Sequence, residues 1–406
     1  MEVPQVYADG IVDPFEHLDN LPEEAIPYRG ILYATDRLPG DGAKAYYTKD
    51  RGHVIRVGMG QLTLGKENLD WEVLRRASLL KNRPTNYPIR LESVEEMGIL
   101  EKSTTQFTDP ALLAERGSWE VDRFIELINR KLAISRSKKM FIYVHGYKSR
   151  FENPLLVTAE LWHFMGYDGV ALAFTWPATP NPFAYVSDTE TAVLSSHNLR
   201  ILLEFLSEET EVEQINLIGY SAGTRVVIEA LHQIALTRSS RDLAQGERSI
   251  RLGEVILIGS DYDRDLFGRA MVNGLLEVPQ RTTLYLSRSD LALSVTQRLF
   301  GEERVGQMFQ KRMLPPHVTD YLFSSDTLVL VDVSDAEAAA AGNGHAYLRK
   351  SPWVSSDILL SLDGGFAPGE RGLVRDPGSA IWSFPEDYID RITTLLKQEL
   401  EGYELR

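Results

Sequence analysis

Cysteine is absent from all 406 residues. That excludes disulfides, thiolate zinc sites and a thiol nucleophile, and it leaves the redox compartment open. Long apolar runs are missing too: no stretch approaches the ~18–20 residues that a membrane span requires, so no membrane association is evident. Nor is there a basic excess. With 43 Lys and Arg against 58 Asp and Glu, the formal net charge is −15. Nothing is then available to release phosphate counterions, which argues against sequence-independent nucleic-acid binding and leaves a solvated acidic surface. Low-complexity tracts and internal repeats are lacking. So are metal-ligand spacings and phosphate-cradling loops, and Gly58-Met59-Gly60 has the wrong continuation for a dinucleotide fingerprint. No metal and no other cofactor is expected. Met1–Glu24 is acidic and contains Pro, where a signal peptide is basic and then apolar. A cytoplasmic location is therefore the default expectation, with an exported or lipid-anchored form open if the N-terminus was trimmed.

What remains is an ordinary globular composition, 43% hydrophobic and 25% charged, long enough for one large core. Residues 1–30 read as an irregular lead-in, and 31–406 as a single α/β domain. Within it, 31–117 form a β-rich extension. Stretches 31–37, 53–65 and 88–100 are β-type, separated by short polar turns and one charged helical piece around Trp71–Arg76, so antiparallel pairing is expected. From 118 the pattern changes. Val121, Phe124, Ile125, Ile128 and Leu132 recur at helical spacing. Nearly continuous apolar runs follow at 140–146, 169–176, 214–220, 254–260, 282–288 and 327–333, alternating with helices. Runs apolar on both sides suit parallel strands covered by helices on both faces. Ser383-Phe384-Pro385-Glu386 reads as the capping box of a last helix.

The central motif is Gly219-Tyr220-Ser221-Ala222-Gly223, between a strand and a helix. Such a string alone is weak, since chance puts one in roughly a seventh of chains this long. Its context is what counts. A sharp strand-to-helix turn crowds the serine's neighbours, so both flanks must be small, and it exposes the hydroxyl at a helix N-terminus. An oxyanion hole needs two backbone donors. Ala222 would supply one, and Tyr147 in Val144-His145-Gly146-Tyr147 the other, with Gly146 allowing close approach and His145 shaping the loop.

A serine nucleophile needs a base, and the base needs a carboxylate, in the chain order Ser, acid, His. His345, in the loop Ala341-Gly-Asn-Gly-His345, is favoured over His317, which follows Pro315-Pro316. Asp290, just beyond the strand at 282–288, is favoured as the acid, with Asp261 or Asp263 as alternatives; Asp332 and Asp335 are not favoured. Tyr220, Trp176 and Tyr185, the last beside Pro182 and Phe183, are possible pocket-lining residues, although a core-capping aromatic reads equally well at Trp176. Residues 291–325, with Leu299, Phe300, Met308 and Phe309, are long enough for a helical flap, although such residues are more often core.

The stretches ILYATDR, VHGY, FTWP, GYSAG, GSDYDRDLF, LYLSRSDLAL and GHAYL, in that order over about residues 30–360, resemble a bacterial α/β-hydrolase family described only as a domain of unknown function. The resemblance implies the α/β-hydrolase fold and an esterase-like, lipase-like enzyme with the roles above on Ser221, Asp290 and His345. It brings no physiological substrate. The expected reaction is cleavage of a small carboxylic ester through an acyl-enzyme. Alternatives are an amidase, peptidase or acyltransferase on the same triad, an interfacial lipase, or a binding protein that keeps the fold without turnover.

Overall fold

Alternation along each strand decides which layer it faces. In β4 (Lys139–Val144), Met140, Ile142 and Val144 enter one apolar cluster while Phe141 and Tyr143 enter another on the opposite face. In β7 (Leu252–Ile258), Val255 and Leu257 face the first cluster, and Ile256 and Ile258 the second. Strands apolar on both faces must be covered on both. The computed structural model of the chain describes all residues except 8–11, 22–24, 42–44, 66–68, 81–86, 116, 118, 180–184, 246–249, 292, 294–303, 308–324, 342–343 and 404–406.

The remaining strands are β1 (Gly30–Pro39), β2 (Tyr47–Leu64), β3 (Ile89–Ile99), β5 (Val170–Thr175), β6 (Gln214–Tyr220), β8 (Arg281–Leu286), β9 (Leu328–Asp332), β10 (Val374–Arg375) and β11 (Ile381–Ser383). All eleven join one sheet in the order β10-β11-β9-β8-β7-β6-β4-β5-β1-β2-β3. Pairing is parallel from β1 through β11, and antiparallel at β1–β2, β2–β3 and β10–β11. This is an α/β fold with a mostly parallel central sheet and the expected antiparallel N-terminal strands.

The helices are α1 (Trp71–Ser78), α2 (Pro110–Ala114), α3 (Val121–Ile134), α4 (Glu152–Phe164), α5 (Tyr185–Glu209), α6 (Gly223–Gln245), α7 (Arg264–Val272), α8 (Tyr347–Lys350), α9 (Pro352–Gly364) and α10 (Tyr388–Tyr403). α3, α5 and α6 cover the first face, while α4, α9 and α10 cover the second. On α3 the helical-period residues Phe124, Ile128 and Leu132 are buried, with Val121 and Ile125 packed at the margin.

One local reading is corrected. Ser383 does not cap the last helix: it ends strand β11, paired with Asp332 of β9 and Val374 of β10, and α10 begins only at Tyr388. Strand pairing on both sides of β11 outweighs the local cap. The N-terminal lead-in packs on the second face: Val6, Phe15, Leu18, Ile26 and Tyr28 are buried in its cluster, and Val3 is buried too. Phe15 meets Trp71 edge-on at 5.2 Å between ring centroids. Most of 291–325, together with His317, Pro182 and Phe183, lies outside the described residues.

β4 crosses over to β5 on one side, while β6 lies on its other side. In open α/β sheets a crevice forms at the carboxyl ends of the strands where the order reverses in this way. Val144 and Tyr220 end the two strands at that point.

Candidate active site

Ser221 follows the last residue of β6 and adopts φ +53°. A non-glycine residue is held there only where its surroundings over-determine it, at a cost of about 1–3 kcal/mol. The surroundings do so. The Ser221 amide donates to the Ile258 carbonyl at 2.8 Å, and the Ser221 carbonyl accepts from the Thr224 amide at 3.0 Å and hydroxyl at 2.6 Å. Ser260 braces Thr224 through its hydroxyl at 3.0 Å. Gly219 packs against Val227 and Thr224. Gly223 is required by close approach: a Cβ there would lie 2.4 Å from the carbonyl oxygens of both Val144 and His145. The elbow and the loop after β4 are therefore pressed backbone to backbone.

In that loop, a Cβ on Gly146 would lie 2.8 Å from the Cβ of Ser221, so the smallest residue faces the serine. Tyr147 follows, then Lys148 at φ +61°. His145 is buried. Its Nδ1 lies 2.7 Å from the Gly146 carbonyl oxygen and its Nε2 3.1 Å from that of Trp176. The indole of Trp176 stacks on it, with 5.3 Å between centroids and 7° between planes, and donates to the His145 carbonyl at 2.7 Å. Burial foremost, then the Arg37 charge, pulls the His145 pKa down to about 3; the two carbonyl contacts favour the cation and are outweighed. The ring is thus neutral and fixed in the loop's interior. Trp176 is fully buried, which corrects the pocket-lining option: the indole is a core residue whose one polar atom holds the loop.

Asp290 and His345 come together from separate loops. Nδ1 of His345 donates to Oδ2 of Asp290 at 2.6 Å, and Oδ1 of Asp290 accepts from the Leu293 amide at 3.1 Å. The Asp290 side chain is fully buried and that of His345 is 12% exposed, so the ring keeps one edge toward solvent. The Tyr220 hydroxyl donates to the His345 carbonyl at 3.0 Å, its ring 5.2 Å from the imidazole. Tyr220 thus supports the His345 loop from the elbow itself. Gly259 was missed as a site residue. At φ +55° it carries no side chain because a Cβ would sit 2.8 Å from Cε1 of His345. Its place directly after an apolar strand was the available signal. Gly259 also follows Ile258, whose carbonyl holds the Ser221 amide, so serine and histidine share one support.

The alternative acids have other partners. Asp261 faces Arg225, at 3.4 Å from Oδ2 to Nε, and Asp263 caps α7 through the amides of Asp265 and Leu266. Asp332 and Asp335 both pair with Arg288, at 3.0 Å and 3.1 Å. Tyr185 starts α5. Among the described residues no His, Cys, Asp and Glu cluster suited to a metal ion occurs, and no helix is long and apolar enough to cross a membrane.

Comparison with known proteins agrees with this architecture. No curated protein and no solved structure matches the chain. A family model described as "Alpha/beta hydrolase of unknown function (DUF900)" matches residues 122–361, more than half of the sequence and every strand from β4 to β9. The chain is a member of this family of α/β hydrolases of unknown function.

Proposed function

We propose that the protein is a serine hydrolase that cleaves small carboxylic esters through an acyl-enzyme on Ser221. The reading rests above all on the short Asp290–His345 hydrogen bond, whose histidine loop Tyr220, the residue before Ser221, holds through its hydroxyl. Asp290 fixes the tautomer with the proton on Nδ1, which leaves Nε2 of His345 to accept the serine proton. Ser221 attacks the carbonyl carbon, and the amides of Ala222 and Tyr147 hold the developing oxyanion. His345 returns the proton to the leaving alcohol. Water, deprotonated by the same imidazole, then releases the acid. Asp290 stays ionised throughout and stabilises the imidazolium.

His145 is unsuited to act as base. Its nitrogens face carbonyl oxygens in the interior, and its lowered pKa makes it a weak proton acceptor.

The test is hydrolysis of p-nitrophenyl esters from two to sixteen carbons by wild type and Ser221→Ala. Loss of the nucleophile is expected to lower turnover by roughly five to six orders of magnitude. A variant that retains more than a few per cent of wild-type activity overturns the assignment. Labelling of Ser221 by a fluorophosphonate without ester turnover would point to another acyl substrate for the same residues, an amide or an acceptor other than water.

A further inference from the structure

Arg37 has no part in the chemistry above, yet it is among the most deeply buried charged residues of the protein, 1% exposed. It lies near the carboxyl end of β1, the strand parallel to β5, on the side of the sheet where β4 and β6 end. Its guanidinium donates three hydrogen bonds to three different segments. Nε reaches the Thr175 hydroxyl at the end of β5 at 2.9 Å, Nη1 the Thr48 carbonyl of β2 at 3.1 Å, and Nη2 the Ser149 carbonyl at 2.9 Å. Thr35 completes the clamp by donating to the Thr175 carbonyl at 2.7 Å. Ser149 is the second residue after Tyr147, and Lys148 between them sits at φ +61°.

These three acceptors are all neutral, and among the described residues no carboxylate forms an ion pair with Arg37. Burying an unpaired cation is costly, and plain packing gains nothing from it. The planar fork is nevertheless well suited to hold three backbone and hydroxyl acceptors in fixed relation, which an ammonium cannot do. Asp36, Glu152 and Asp188 lie far enough away to act only through the field, and His145 feels the same charge from within the loop.

We propose that Arg37 is the positioning residue of the oxyanion loop: its guanidinium anchors the Ser149 carbonyl to the ends of β2 and β5 and so fixes where the Tyr147 amide points. The anchor also sets a permanent positive charge beside the loop that must face a developing oxyanion, where a low dielectric strengthens it. This rests on the serine-hydrolase reading of the same site, and it adds to that reading a residue about 110 positions upstream of the loop.

The experiment compares wild type with Arg37→Gln, Arg37→Lys and Thr175→Val as full chains. It measures kcat and KM for p-nitrophenyl butyrate, the rate of Ser221 labelling by a fluorophosphonate, and the thermal midpoint. A misplaced donor should cost about 10- to 100-fold in kcat in Arg37→Gln with KM within about twofold. Labelling should slow in proportion. Arg37→Lys should keep more activity than Arg37→Gln because the charge survives, and Thr175→Val should lose several-fold. A folded Arg37→Gln with wild-type kcat and labelling rate overturns the proposal, as does a rise confined to KM. If Arg37→Gln does not fold, Thr175→Val decides, and unchanged rates there overturn it. If wild type turns over no ester, the labelling rates alone decide. If wild type is not labelled at Ser221 at all, the serine-hydrolase reading fails first and this inference falls with it.

Discussion

At the scale of the residue, burial and charge set two histidines apart. His345 meets a carboxylate and keeps one edge toward solvent. His145 is sealed between two carbonyls and an indole. Its pKa, held near 3 when folded against about 6.5 in an unfolded chain, has a thermodynamic consequence. Between those values the unfolded state binds a proton that the native state refuses, so stability is present above pH 6.5 and declines as the pH falls toward 3. The limiting slope is ~1.4 kcal/mol per pH unit for one group. His145→Gln should therefore show a smaller loss of stability than wild type between pH 6.5 and 4, in denaturant melts at a series of pH values. Parallel profiles would mean that the ring is protonated in the native loop.

At the scale of the element, the site is built by short segments pressed against one another. One such approach lies between Gly259 and His345. Gly259→Ala puts a methyl 2.8 Å from Cε1 of the imidazole at a φ that costs an L-residue about 1–2 kcal/mol. On the proposed mechanism, displacing the His345 imidazole by about 1 Å should lower kcat about 100-fold with little change in KM, read from ester kinetics. Gly268→Ala is the matched control. It lies inside α7 with open space around it, and should gain roughly 0.5–1 kcal/mol while leaving kcat alone. Equal kinetics for the two variants would remove Gly259 from the site.

At the scale of the whole molecule, a buried ionic knot ties the second face of the sheet to its helices. Arg371 and Asp357, both side chains fully buried, meet at 2.7 Å; the Tyr285 hydroxyl donates to Asp357 at 2.6 Å, and Arg371 also reaches the Ser361 hydroxyl at 3.0 Å. These contacts join β8 to α9 and to the loop before β10. Arg371→Ala leaves a buried carboxylate without its partner and should cost about 3–5 kcal/mol. Arg371→Met with Asp357→Leu should recover most of that loss, since well-packed apolar pairs replace such ion pairs at little net cost. Urea unfolding of both variants is the check, and an Arg371→Ala variant as stable as wild type would rule out this role for the pair. Ester kinetics of the folded variants should stay at wild-type values.

Much of this was legible in the amino-acid sequence because it is local. Apolar runs with two buried faces identify parallel strands wherever they occur, and small residues around Ser221 follow from a turn only a few residues long. The nine longer strands needed nothing more. Other features depend on contacts between segments far apart, which local pattern does not encode. Only the tertiary structure shows that the carboxylate reaching His345 across 55 residues is Asp290 while Asp261 turns to Arg225. It alone places Ser383 in a strand between β9 and β10, buries Trp176 behind the loop after β4, and brings Arg37 to Ser149 across 112 residues. The physical reason is the same in each case. Backbone propensity is decided by near neighbours, whereas the partner of a buried polar group is whichever acceptor the packed sheet leaves within about 3 Å.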